Sequence, residues 1–261
     1  GLYTVTGYAV ATVNGKGYAT FAEAYAAAVA GDTIALLADL DLSAILVIDK
    51  AITLDGNGYT LTSTAARAIN VSGVNGVTIK NLTINAAGER AINVIQNATN
   101  VVIENVKATA ANYAVNVASS AANAVVMIKD SELTGLNTVN VAAVNTVVTI
   151  ENSIITTNDQ SSDEGYGAIS LNITATGSTV TATNTTVNVN DDSLVAVIGC
   201  ENGRITINGS TADVVQQVAY IEYGNYAYTF TTLEAALAKA KHGDTIVLLQ
   251  DVVLADKVAI E

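Results

Sequence analysis

One nine-residue phrase recurs along the chain and limits what it can fold into. VTIKNLTIN begins at residue 77, VVIENVKAT at 101, VMIKDSELT at 126, VTIENSIIT at 148, VTATNTTVN at 180 and ITINGSTAD at 205. The spacing is mostly 22 to 25 residues. Between these copies runs a second phrase: AINV at 68 and 91, AVNV at 114, TVNV at 138, AISL at 168 and VAVI at 195. Both alternate apolar with polar residues and are rich in Val, Ile and Thr, which marks strands with one buried face. Two strand phrases sharing one period predict a solenoid, in which each coil buries its apolar face only against its neighbours.

Such a coil needs every backbone N–H for the ladders on both sides, and the 261 residues include no proline. The net charge of −13 sets aside nucleic acid and anionic membrane surfaces, both of which call for Lys/Arg patches. The apolar residues come in short runs, far from the ~20 that a membrane-spanning helix needs, so membrane insertion is not expected. Cys200 is the single cysteine and follows the apolar run VAVIG; it reads as a packed thiol rather than a nucleophile.

Coils holding AINV, then VTIK, then Asn, then LTIN have three short strands joined by turns. This pattern resembles the pectate-lyase-like right-handed parallel β-helix over roughly residues 33 to 221. The resemblance implies an all-β solenoid, a right-handed three-sheet parallel β-helix of about eight coils. It also implies a left-handed asparagine at the turn between second and third strands, stacked from coil to coil. That structural ladder would be Asn81, Asn105, Asp130, Asn152 and Asn184, directed inward, with Gly56 and Gly209 at its ends. Asn, Asp and Gly are the residues that tolerate this backbone region.

The residue before that turn tests the register. It is Asp55, Lys80, Glu104, Lys129 and Glu151 on successive coils, so charges alternate in sign between strands ~4.8 Å apart. Opposite charges at that distance attract across a ladder. The column is structural.

The ends repeat as well. Residues 20–32, TFAEAYAAAVAGD, combine alanine-rich helix propensity with a Thr20…Glu23 capping box and a stop at Gly31. Residues 231–244, TTLEAALAKAKHGD, offer Thr231…Glu234 and Gly243, and a hairpin-like stretch precedes each helix. A helix across the end of a solenoid covers its apolar cross-section. The GDT triplets at 31 and 243 stand 212 residues apart. The expected organisation is therefore a hairpin and cap helix over 1–32, the β-helix over 33–221, and a second hairpin, cap helix and first strand of a following module over 222–261. The GDTI.LL.D pattern, within 14–58 and 224–261, resembles surface and adhesin-like β-helix proteins of bacteria and archaea.

Chemistry in pectate-lyase-like enzymes implies the first-strand face and the loops leading into it, where carboxylates hold Ca²⁺ and an Arg or Lys abstracts a proton. Here two neighbouring loops carry Asp159, Asp163 and Glu164, and Asp191 and Asp192. They form a candidate Ca²⁺ site or two solvated acidic loops. Arg67 and Arg90 stack on earlier coils, about 14 Å away at ~4.8 Å per coil, too far for a shared proton transfer. His242, the single histidine, ends the second cap helix and suits its dipole. No other catalytic set can be assembled.

Asn70, Asn93, Asn116 and Asn140, followed by Ser170, fall in one outward column beside small residues. They offer a flat strip for a repetitive ligand such as a surface glycan, or an ordinary solvated face. Eight of the eleven tyrosines, including Tyr8, Tyr18, Tyr25 and Tyr228, lie near the caps, where they suit packing between modules. The expectation for function is an extracellular or cell-surface structural or adhesive module, partnered by copies of itself or adjacent modules. The alternative is a Ca²⁺-dependent polysaccharide lyase or a glycan-binding rod.

Overall fold

The computed structural model describes residues 8–158, 166–190, 193–223 and 226–253. Alternation becomes ladders as expected. The AINV phrases stack in chain order into one sheet of eight strands, from Leu46–Ile48 through Arg67–Ser72, Arg90–Ile95 and Tyr113–Val117 to Val214–Gln216, every neighbour parallel. The VTI phrases form the second parallel stack, from Thr33–Leu36 to Arg204–Ile207. Strands Asn75–Ala86 and Thr99–Thr109 run unbroken through the Asn81 and Asn105 bends, so both legs of that stack join as one 15-stranded sheet. The result is an all-β parallel solenoid of about seven turns, with two short helices among the described residues.

Core columns follow the register. Leu54, Ile79, Ile103, Ile128, Ile150 and Ala182 are consecutive cross-strand partners, each no more than 1% exposed. Burying one such leucine or isoleucine is worth about 1.5–3 kcal/mol, and stacking repeats that gain at every turn.

At the bend, Asn81, Asn105, Asp130, Asn152 and Asn184 have φ of 51°, 50°, 50°, 49° and 49°. The left-handed column is therefore present, but its side chains do not point inward: Asn81 is half-buried and the other four are exposed. The following residues turn in instead. Leu82, Val106, Ser131, Ser153 and Thr185 are all buried, because the αL residue rotates the next side chain toward the core. On the first coil the αL residue is Asn57 (φ 51°), not Gly56. Gly56 is needed for space, since a Cβ there would lie 2.5 Å from the Asn81 carbonyl oxygen.

The charge column forms as its signs require. Asp55, Lys80, Glu104, Lys129 and Glu151 are register partners. Lys80 Nζ lies 3.4 Å from Asp55, and Lys129 Nζ 3.0 Å from Glu104.

The first cap is a hairpin, Ala11–Val13 and Lys16–Tyr18, turned by Asn14 and Gly15 at φ 48° and 85°. Helix α1, Phe21–Ala27, follows with the complete Thr20–Glu23 capping box. It stops four residues short of Gly31. Ala28 is already extended, and Lys50 Nζ sits 2.6 and 2.8 Å from the Tyr25 and Ala28 carbonyl oxygens, which a further helical turn would have claimed. Helix α2, Leu233–Lys239, starts one residue later than the capping signal suggested. Thr232, not Thr231, accepts the Ala235 N–H at 3.1 Å, so Glu234 is not the reciprocal partner. The second hairpin, Ala219–Tyr223 with Tyr226–Phe230, has its own small core of Ala219, Ile221, Phe230 and Ala236. The boundary expected after residue 221 thus falls inside its first strand. Gln217 bridges the units: its N–H donates to Ile198 O at 2.8 Å, and its buried Nε2 to Thr229 Oγ1 at 2.8 Å.

Candidate functional site

The sequence column Asn70, Asn93, Asn116 and Asn140 occupies one register line, as predicted. Its environment differs from the open strip expected. Asn93, Asn116, Asn140 and Ser170 are 2–4% exposed, and Asn70 is half-buried. Each amide donates to the preceding coil: Asn93 Nδ2 to Asn70 Oδ1 at 2.9 Å, Asn116 to Asn93 at 2.7 Å, Asn140 to Asn116 at 2.7 Å. Amides buried this deeply must be bonded, and the constant register lets each satisfy the next. Strand alternation says which side a residue faces, not whether other side chains lie over it.

Side chains three positions upstream lie along this column. Arg90 Nη1 is 3.4 Å from Asn93 Oδ1, and Asn137 Nδ2 is 3.5 Å from Asn140 Oδ1. Arg67 and Arg90 are register partners, as their spacing predicted. The Arg90 guanidinium also lies 5.4 Å from the Tyr113 ring centroid and 3.9 Å from Glu89. Arginine there is held by neighbouring aromatic, amide and carboxylate groups.

A second feature escaped the sequence reading: a groove of about 520 Å³ along the bend, lined by Asn57, Asn81, Asn105, Asp130, Lys107 and Glu132 among others. Its floor is the αL column from Asn57 to Asp130, with Asn105 Nδ2 2.9 Å from Asn81 Oδ1; beyond it, Asn152 Nδ2 lies 3.2 Å from Asp130 Oδ1. Lys107 pairs with Glu132 at 2.8 Å along one side of it, from one coil to the next. Amide, carboxylate and ammonium groups in a shallow channel can exchange hydrogen bonds with hydroxyl-rich ligands. Just inside, Ser131 Oγ accepts the Val106 N–H at 3.1 Å, and Ser153 Oγ accepts the Ser131 N–H at 3.1 Å. The serine after Asn or Asp at 130–131 and 152–153 was the available signal for this inner column.

Asp159, Asp163, Glu164, Asp191 and Asp192, the candidate Ca²⁺ ligands, lie outside the described residues. Among the described residues, no three His, Cys, Asp or Glu side chains gather as metal ligands would. Burial pushes the Cys200 thiol up to about 11, and its Sγ lies 3.2 Å from Ala175 O; a nucleophilic cysteine needs the opposite shift. His242 is exposed beyond the end of α2. Near the first cap, burial and a hydrogen bond to Asp49 raise the Tyr25 phenol to about 12. Its hydroxyl donates to Asp49 Oδ1 at 2.6 Å and accepts the Asp49 N–H at 2.8 Å. This tyrosine ties the cap helix to the first coil.

Comparison with protein families, with curated proteins and with solved structures finds no match.

Proposed function

We propose that the chain is a structural or adhesive module of an extracellular or cell-surface rod, built from β-helical coils wound in the right-handed, three-sheet manner of pectate-lyase-like proteins. One observation carries the reading: the cap occurs twice, in the same arrangement. Val13 pairs with Ile34 and Ala11 with Leu36; 212 residues after these strand positions, Ile246 and Leu248 pair with Ile221 and Ala219. A cap closing one solenoid and opening another is what a linear array of modules requires. The charge, amide and serine columns stiffen such a rod without providing a reactive group.

Negative-stain electron microscopy of the native protein, combined with its intact mass, tests the proposal. Rods with a regular repeat support it; compact isolated particles count against it. The groove at the bend supports a second reading, a glycan-binding rod, which a glycan array examines. Release of unsaturated uronides, abolished by chelators, would instead establish a Ca²⁺-dependent lyase.

A further inference from the structure

Strand Thr33–Leu36 is paired on both edges, antiparallel with Ala11–Val13 and parallel with Thr53–Asp55. Its later counterpart, Ile246–Leu248, repeats the antiparallel half against Ala219–Tyr223. Among the described residues, nothing pairs with its other edge. Burial follows the pairing. Ile34 and Leu36 are 0% exposed, whereas Ile246 is half-buried and Leu248 is 49% exposed. The same two apolar positions are covered in one copy and uncovered in the other.

Free strand edges are usually blunted by charge. The hairpin edge at the opposite end, Lys16–Tyr18, carries Lys16, which is exposed. Ile246–Leu248 carries only Ile, Val and Leu. We infer that the Ile246–Leu248 edge is a docking edge for one kind of partner, a β-helical coil of the type formed here by residues 50–63, entering in chain register. The first copy shows the fit: Leu54 pairs beside Ile34 and is itself 0% exposed. The incoming strand therefore needs a parallel approach, an apolar residue against Ile246, and a tight turn such as Asp55-Gly56-Asn57 beyond it.

This inference rests on the modular-rod reading, and one extended chain tests it separately. Glu261 stands 212 residues after Asp49, so residues 50–218 can be joined directly after it in register. Hydrogen exchange of the Ile246–Leu248 amides is then compared with that in the unextended chain. We expect at least tenfold slower exchange, and loss of that protection when the appended coil carries Leu54→Lys. Unchanged exchange, with the appended coils shown to be folded by circular dichroism, overturns the inference. Protection that already rises with the concentration of the unextended chain assigns the edge to a second copy, and overturns the assignment to a coil in chain register. Neither outcome alters the rods seen or not seen by microscopy of the native protein.

Discussion

Asn152 donates its side-chain amide to Asp130 at 3.2 Å, and the Asp130 carboxylate has no N–H with which to continue the chain to Asn105. On either side the column is continuous: Asn184 donates to Asn152, Asn105 to Asn81, and Asn81 to Asp55. Asp130→Asn supplies the missing donor in a position whose φ of 50° suits asparagine. A net hydrogen bond is worth about 0.5–1.5 kcal/mol. Because the side chains of Asn105 and Asp130 are both exposed and water competes for the bond, the variant is expected to be stabilised by no more than about 0.5 kcal/mol in urea unfolding, with an unchanged m-value.

The lower end of the same column sets a pH dependence. Burial pushes the Asp55 carboxyl up, but the Asn81 amide at 3.0 Å, the Asn57 N–H at 2.9 Å and the Lys80 ammonium at 3.4 Å outweigh it and hold the group below its ordinary value. A carboxyl depressed in the folded state adds stability above its unfolded pKa of about 3.9, and that stability is lost as pH falls through the lower folded value. Unfolding free energy should therefore decline below about pH 4. In Asp55→Asn the decline should be shallower and the stability at pH 7 lower. An identical acid slope in both proteins would show that Asp55 contributes nothing.

Much of this was legible because a solenoid writes its register into the sequence. Alternating signs at 55, 80, 104, 129 and 151 locate the bend from sequence alone, since stacked like charges would repel. The αL column was readable at Asn81 or Asn152 because so few residue types accept that backbone. What periodicity does not encode is what lies over a face. The Asn93–Asn140 line, expected outward, is buried, while the bend column, expected inward, is half-buried at Asn81 and exposed at Asn105, Asp130, Asn152 and Asn184. Local signals also shift by a residue where two threonines adjoin, as at Thr231 and Thr232.

Lys50 makes the N-terminal cap depend on one cation. Its Nζ gathers the Tyr25 and Ala28 carbonyl oxygens and lies 4.8 Å from the Tyr25 ring centroid. Lys50→Met keeps the aliphatic stem but leaves the carbonyls at the end of α1 without their donor. A loss of about 1–2 kcal/mol follows from the helix-terminus and hydrogen-bond terms together. Hydrogen exchange should localise the loosening to residues 21–28, with the coils beyond Arg67–Ser72 unaffected.

The two amide columns differ in burial, and so should respond differently to the same substitution. Asn116 accepts from Asn140 and donates to Asn93, both at 2.7 Å, in a site only 3% exposed. Asn116→Ala orphans the Asn140 amide donor, which solvent does not reach, at a cost of about 1–3 kcal/mol, and leaves Asn93 Oδ1 with only the Arg90 contact at 3.4 Å. Asn105, exposed at the bend, donates to Asn81 at 2.9 Å, and water can replace that bond. The cost of Asn105→Ala should come mainly from alanine in the αL region, about 1–2 kcal/mol. Asn105→Gly should recover most of it, whereas Asn116→Gly should recover none. If glycine rescues both positions equally, backbone conformation governs both columns and the buried amide line contributes no stability of its own.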